Sequence, residues 1–590
     1  MGRDKSESSV NSAGDDKIAD LSVQQSGLQS EKPFIQDLVS ILSQKGLEHV
    51  VISPGSRHAP LSISFFHHPS IECHVIPDER SAGYFALGIA QRTQKPVALV
   101  CTSGTALANY TSAVAEAFYQ ELPLIVLSAD RPEEWVDQGD GQTIRQEGLL
   151  NNHIQGSYTL KQDDQQKDVK WHNQRMINDA WNNATTYPGG PVHINIPLRE
   201  PLYGLVEKGS AKTKMIHVAE GVSLLSAEDA SQLKEHFASS PKVMILCGLQ
   251  FPDNELEERI EAISKLSNVT VLTETTSNMR KGEVVGCIDR LLMSLSEDDM
   301  QDLMPDLLIT FGSHIVSKKI KHFLRSAEDM EHWHIDPAGR TLDTFQHLTR
   351  VIKASSSQTI ELLASASVVE SDYHAIWYGE HLRLSKLEQE VSGALGWSDL
   401  YVFREILPSL PQDSILQMGN SSVVRYIQLF DRREDIEYYG NRGTSGIDGC
   451  TSTAAGMASV TGKTVTLITG DIAFMYDING LWNDQPNDNL KIILINNGGG
   501  NIFKIIDGPS SSAALETVFE TKHRRNAEHL AKHFGLNYLT ANDPTELAEG
   551  LKSLNDANQC TLLEVFTQDI ANEQILKSSF REIRERKHKH

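Results

Sequence analysis

The sequence predicts an α/β protein of three doubly wound domains, and three observations carry that prediction. Short β-branched runs alternate with longer helical stretches, the pattern of parallel strands joined by crossover helices. This alternation comes as three separate series with lapses between them. At 590 residues the chain also exceeds what one hydrophobic core holds, and ordinary domain sizes give about three to four domains.

The first series reads HVVIS (49–53), CHVIP (73–77), VALVC (97–101) and LIVLSA (124–129), separated by helical segments such as ERSAGYFALGIAQRT. A second follows as KVMILCG (242–248), NVTVLTE (268–274), DLLITFG (306–312) and HWHIDP (332–337). The third comprises SILQMGN (414–420), TVTLITGD (464–471), LKIILINNGG (490–499) and CTLLEVF (560–566). Alternation lapses near 197–214 and around 366–392, which read as linkers. The expected domains are therefore 32–212, 213–385 and 386–590, after a polar, flexible extension over 1–31. No repeat of about 20–50 residues is visible, which excludes a solenoid.

Composition narrows the function classes. Hydrophobic residues at 39% and charged residues at 22% describe an ordinary globular protein rather than a fibre. A formal charge of −24 argues against a nucleic-acid partner held on a broad basic surface, so cationic function is expected in local pockets. The six cysteines are far apart with no CxxC, as expected for buried free thiols in a reducing compartment. With no long apolar run and no signal core at the N-terminus, a cytoplasmic location without a membrane span is expected. The terminal ERKHKH reads as a solvated tail, not a metal site. Neither GxxxxGK[ST] nor GxGxxG occurs, which argues against a non-catalytic nucleotide-binding protein.

The most informative stretch is TGDIAFMYDINGLWNDQPNDNLKIILINNGGGNIF, Thr469 to Phe503. Ligands of open α/β sheets bind at the carboxyl ends of strands, so Asp471 and the Asn496–Gly500 run should face one crevice. Asp471, Asn497 and the carbonyl of Gly499 offer a carboxylate, an amide oxygen and a main-chain oxygen, the donors a hard dication such as Mg²⁺ takes. The glycines admit a diphosphate close to the backbone. Either motif alone also reads as a helix cap and a turn. Their pairing, with Asn497 lying 26 residues after Asp471, is far more specific.

GD followed by NN at this spacing resembles the diphosphate and Mg²⁺ motif of thiamine diphosphate enzymes, with Ile472 where that family usually has a third glycine. The resemblance implies a pyrimidine-binding domain, a central domain and a diphosphate-binding domain, all α/β. It implies thiamine diphosphate with Mg²⁺, or alternatively Mn²⁺, as cofactors. Glu79, in PDERSAGYFALGIA, takes the place of the glutamate that hydrogen-bonds the aminopyrimidine ring; as a plain helix-start residue it would complement the dipole.

Six strings sharpen the resemblance: SPGSRHAPL (53–61), TSGTALANY (102–110), SADRPEEW (128–135), GQTIRQEG (141–148), GNSSVVR (419–425) and NRGTSGIDG (441–449). Together they are similar to the carboligases of menaquinone biosynthesis within that family. These transferases decarboxylate 2-oxoglutarate and add the succinyl fragment to isochorismate. The likeness runs from about residue 32 to the end and is weakest in the middle.

Both substrates are carboxylates, which accounts for a cationic pocket in an acidic protein. The resemblance places Arg57, Arg131, Arg425 and Arg442 on carboxylates, each being a surface ion-pair residue otherwise. It assigns Ser56 and Gln142 to substrate, Ser421 to cofactor and substrate, and Ile447 to a wedge beneath the thiazolium or, alternatively, to plain core. Lys318 and Lys319, in GSHIVSKKIK, match a Lys–Arg pair of the family, Lys319 being the departure. The family further implies a homodimer, or a tetramer, in which Glu79 of one subunit meets Asp471 of another. Another 2-oxo acid decarboxylase or ligase, of the acetolactate synthase kind, is the alternative; its small substrates, with fewer carboxylates, would not need so many arginines.

Overall fold

The computed structural model describes residues 27–587, apart from 163–165, 208, 210–211, 220, 222–224, 393–394, 484–486, 506–508 and 569. Among these residues, three six-stranded parallel sheets account for nearly all the strands. The first sheet runs, edge to edge, Glu72–Val75, His49–Ile52, Val97–Cys101, Leu124–Asp130, Val192–Pro197 and Gly156–Thr159. The third repeats that order of connections with Glu437–Gly440, Ile415–Met418, Val465–Gly470, Leu490–Asn496, Thr561–Phe566 and Asn537–Ala541. The middle sheet is Val284–Val285, Val269–Thr273, Val243–Cys247, Leu307–Phe311, Glu331–Ile335 and Leu348–Ile352, the order of a dinucleotide-binding domain.

Every apolar run read from the sequence is a strand here. Helices cover both faces of a parallel sheet, so a central strand such as Leu490–Asn496 is buried along its whole length and needs no polar alternation. Residues 1–26 of the expected N-terminal extension lie outside the described residues. Its last part, Leu28–Ser30, pairs antiparallel with Leu205–Glu207. The stretch around 366–392 is not a linker: it holds the helix Tyr373–Ser392, whose Tyr373, Trp377 and Leu384 are buried in a core shared with the third sheet.

The first and third sheets also share a core, in which Phe85 and Leu99 pack in one cluster with Ala454, Ile415 and Leu467. At its centre the helix Glu79–Thr93 lies against the helix Cys450–Ala458. Close approach of these backbones requires glycine on each side. A Cβ on Gly88 would stand 2.0 Å from the Thr453 carbonyl oxygen, and one on Gly456 2.0 Å from that of Phe85.

Gly88→Ala is therefore expected to lower stability by about 1–3 kcal/mol through overpacking. Denaturant unfolding reads this directly; an unchanged midpoint would mean that the two helices separate at no cost.

Candidate active site

The third sheet brings the two halves of the 469–503 stretch together. Strands Val465–Gly470 and Leu490–Asn496 are parallel neighbours with Gly470 opposite Ile495, so Asp471 and Asn497 leave the sheet at the same end. Asp471 is 2% exposed and opens a helix. Its Oδ1 accepts from the Ile472 amide at 2.7 Å, and its Oδ2 accepts from the amides of Gly498 and Gly499 at 2.9 and 3.0 Å. Gly499 sits at φ +150, and a Cβ there would meet the Glu520 carbonyl at 2.6 Å, so no other residue fits without rearrangement.

Asn497 is fixed from behind. Its Nδ2 donates at 2.8 Å to Asp399 Oδ2, while Asp399 Oδ1 accepts from Thr567 Oγ1 at 2.5 Å. Burial pushes the Asp399 carboxyl up to about 6, the neighbouring Asp471 adding to the rise and the bonds from Thr567 and Asn497 opposing it. With the amide nitrogen held by Asp399, the Asn497 oxygen is the atom left to serve a ligand. Asn497 and Gly498 line a cavity of about 600 Å³ with Lys504, Lys522, His523 and Arg524, and His523 Nε2 lies 3.3 Å from Asp471 Oδ2. The donors offered by Asp471, Asn497 and the main chain are all oxygens, which fits Mg²⁺ or Mn²⁺ and not a thiophilic metal.

The arginines fall into two groups. In the first domain Arg57 is buried, with Nη1 donating to the Leu198 carbonyl at 3.1 Å and pairing with Glu200 at 3.1 Å. Burial, then the positive charge of Arg131, lowers its pKa, so the two guanidiniums are neighbours. Arg131 donates to the Gly141 carbonyl at 3.3 Å, next to the exposed Gln142; Ser56 is exposed as well. Arg131 Nε is buried without a hydrogen-bond partner.

The second group joins the middle and third domains. Arg442 is 7% exposed, donates through Nη1 to Asn420 Oδ1 at 2.7 Å, and has its Nε buried without a partner. Its pKa is lowered by burial and then by Arg425. Arg425 donates to the carbonyl of Ser421, the φ +69 residue that begins its helix. Lys318, Lys319, Arg425 and Lys577 line a second cavity, of about 400 Å³, whose wall carries Asp289 as its carboxylate. Four cations around one carboxylate suit a multiply anionic ligand. Half-buried Ile447 lies at the end of the same 441–449 loop.

Glu79 stands apart from both groups. It is the first residue of its helix, half-buried, and accepts a 3.4 Å bond from Asn109 of its own domain. Its neighbours reach the third domain: Asn479 donates to Asp78 at 2.7 Å, and Arg80 lies 3.6 Å from Asp477. Within the chain, the structure records no contact of Glu79 with Asp471, Asn497 or Gly499 among the described residues.

Sequence reasoning missed the carboxylates that hold these groups. Glu116, fully buried in the first domain, accepts from the Gly443 and Thr444 amides at 2.6 Å each and so fixes the loop that carries Arg442. Glu274 accepts from the Val316 and Ser317 amides at 2.7 Å each, just before Lys318; burial pushes its carboxyl up to about 7. Its signal was available, because it is the residue directly after strand Val269–Thr273. Asp399 lay hidden in GWSDL, which reads as a helix cap.

Known proteins resemble this chain along nearly its whole length. The thiamine pyrophosphate enzyme N-terminal TPP-binding domain matches residues 34–149, the middle domain of thiamine pyrophosphate enzymes 228–418, and the C-terminal TPP-binding domain 417–565. A protein of Flavobacterium johnsoniae named 2-succinyl-5-enolpyruvyl-6-hydroxy-3-cyclohexene-1-carboxylate synthase is 45% identical over 93% of this chain and 98% of its own length. Proteins of the same name from Flavobacterium psychrophilum and Porphyromonas gingivalis are 43% and 40% identical, each over 93% of this chain and over 99% and 97% of their own.

If Asp399 sets the direction of the Asn497 amide, Asp399→Asn should weaken Mg²⁺-dependent binding of thiamine diphosphate by about 10- to 100-fold, the usual cost of losing a ligand's supporting bond. Calorimetric titration at fixed Mg²⁺ measures it. Wild-type affinity in a folded variant would show that Asn497 needs no such support.

Proposed function

Because this chain belongs to the thiamine pyrophosphate enzyme family, we infer that it is a 2-succinyl-5-enolpyruvyl-6-hydroxy-3-cyclohexene-1-carboxylate synthase acting in menaquinone biosynthesis. Its reaction joins the succinyl fragment of 2-oxoglutarate to isochorismate with loss of CO₂. The observation that carries this reading is the Asp471 carboxylate bound to the Gly498 and Gly499 amides, with four cations gathered around the nearby anion cavity.

Thiamine diphosphate, when bound, supplies the electron sink for decarboxylation and for making the new carbon–carbon bond. Asp471, Asn497 and the Gly499 carbonyl would hold the dication that binds with its diphosphate. Gly498 and Gly499 let the main chain approach. Ile447 would pack against the cofactor's reactive ring, and Ser421 would border both cofactor and substrate. Glu79 holds a proton at the aminopyrimidine nitrogen, from the first domain of a second subunit. Its half-buried position and its bond to Asn109, rather than to a group of the Asp471 site, support that assignment. A homodimer is thus the smallest active assembly.

The cations select carboxylate substrates. Arg425 and Arg442, with Lys318 and Lys319, form one binding face; Arg57 and Arg131, with Ser56 and Gln142, form the other. Burial, and then the positive charge of Arg425 and of Arg131 respectively, disfavours the charge of Arg442 and of Arg57, and an incoming carboxylate would offset that cost. Lys319 contributes charge without the planar fork of an arginine. Substrates with a single carboxylate, such as pyruvate, would use fewer of these cations, which disfavours an acetolactate synthase reading.

The purified protein, given thiamine diphosphate and Mg²⁺, is expected to release CO₂ from 2-oxoglutarate and form the ligated product only when isochorismate is present. Pyruvate in place of 2-oxoglutarate should give little turnover; efficient pyruvate coupling would replace this reading with the alternative.

Arg425→Ala is expected to lower kcat/KM by about one to two decades, the worth of a charged hydrogen bond of about 1.5–3 kcal/mol, while cofactor affinity holds. Arg425→Lys should recover only part of the loss. Unchanged kinetics with both substrates would return Arg425 to a structural role.

A further inference from the structure

We propose that His49, Glu72 and His74 form a binding site for a borderline transition-metal dication, Zn²⁺ being the type, on the first sheet and separate from the cofactor crevice. The site is built by strand register. His49 lies opposite Glu72 in parallel neighbouring strands, and Val51 opposite His74. Side chains alternate faces along a strand, so His49, Glu72 and His74 project from one face while Cys73 projects from the other. No loop has to move to bring the three together.

Their spacing is that of a metal's ligand shell. His49 Nδ1 is 3.3 Å from His74 Nε2, Glu72 Oε2 is 3.5 Å from His49 Nδ1, and Glu72 Oε1 is 3.9 Å from His74 Nε2. A dication bound tetrahedrally at about 2.0–2.2 Å by imidazole nitrogen and carboxylate oxygen needs donors roughly 3.3–3.5 Å apart. Two edges meet that requirement, and the third closes by rotation of Glu72, whose side chain is 58% exposed. The imidazoles are placed by packing: the His74 side chain is 0% exposed with its ring 5.6 Å from that of Phe85, and that of His49 is 14% exposed. Two imidazoles and one carboxylate leave a fourth position toward solvent on the Glu72 side. This donor set suits Zn²⁺ or Co²⁺ far better than Mg²⁺.

The location gives such a metal a consequence. Glu72–Val75 is a four-residue edge strand, and the chain passes from it through Asp78 directly to Glu79. A metal shared between this strand and His49 clips the edge to its neighbour at the start of the segment that presents Glu79.

The test uses the full chain stripped with chelator, then saturated with thiamine diphosphate and Mg²⁺ so that hard-cation positions are filled. Zn²⁺ is added calorimetrically, and Co²⁺ serves as a spectroscopic probe. The expected results are saturation at one Zn²⁺ per chain, a rise in the thermal midpoint, and Co²⁺ bands of four- or five-coordinate intensity that excess Mg²⁺ does not remove. Glu72→Gln, a change at an exposed side chain, should weaken Zn²⁺ binding by at least about tenfold, and His49→Gln should abolish the Co²⁺ bands. Displacement of the metal by Mg²⁺, or binding that survives both substitutions unchanged, overturns the proposal.

Discussion

One carboxylate organises the third domain's end of the crevice. Asp471 is almost fully buried, and it is kept there by three main-chain amides, those of Ile472, Gly498 and Gly499. A buried carboxylate without such bonds would cost several kcal/mol. The bonds to Gly498 and Gly499 join the ends of two neighbouring strands, so the Asn497 amide, the Gly499 carbonyl and the Asp471 carboxylate are placed by the same contacts. Asp399 sets a second buried carboxylate beside the first; burial raises its pKa, and the charge of Asp471 adds to the rise. A dication among these oxygens would offset what the protein alone leaves unbalanced.

The same device recurs at the cationic loops. Glu116 reaches from the first domain to the amides of Gly443 and Thr444, and Glu274 in the middle domain holds those of Val316 and Ser317. Each buried carboxylate thereby positions a loop that carries arginine or lysine. The cations are spread over three domains, and the backbones beside Arg442 and Lys318 are anchored by these charge-assisted bonds. The chain as a whole carries a formal charge of −24, so these local clusters of cations stand against an acidic background.

Most of the fold was legible because buried parallel strands read as apolar runs. Strand Val192–Pro197 escaped notice for the opposite reason. His193 and Asn195 interrupt its pattern, and they are tolerated because Ser128 Oγ lies 2.7 and 3.0 Å from them and Gln146 donates to Asn195 at 2.9 Å. Glu437–Gly440, Gly156–Thr159 and Asn537–Ala541 lie beside or at sheet edges, where partial exposure permits polar residues. At the site, Asp471 and Asn497 were legible through their spacing. Glu116 was not, because 327 residues separate it from Gly443 and only tertiary packing makes them partners. Glu79 is the limiting case: its helix is plain in the sequence, but among the described residues no contact within one chain joins its carboxylate to Asp471, Asn497 or Gly499.

That separation defines the central claim, that the active site is shared between subunits. Chains carrying Glu79→Gln and chains carrying Asp471→Asn, each inactive alone, can be dissociated, mixed in equal amounts and reassembled. If Glu79 of one chain serves Asp471 of another, mixed dimers contain one fully intact site, and statistical pairing restores about a quarter of wild-type sites. If both residues act within a single chain, no mixture contains an intact site, and activity that stays at the level of the separate variants would contradict the account.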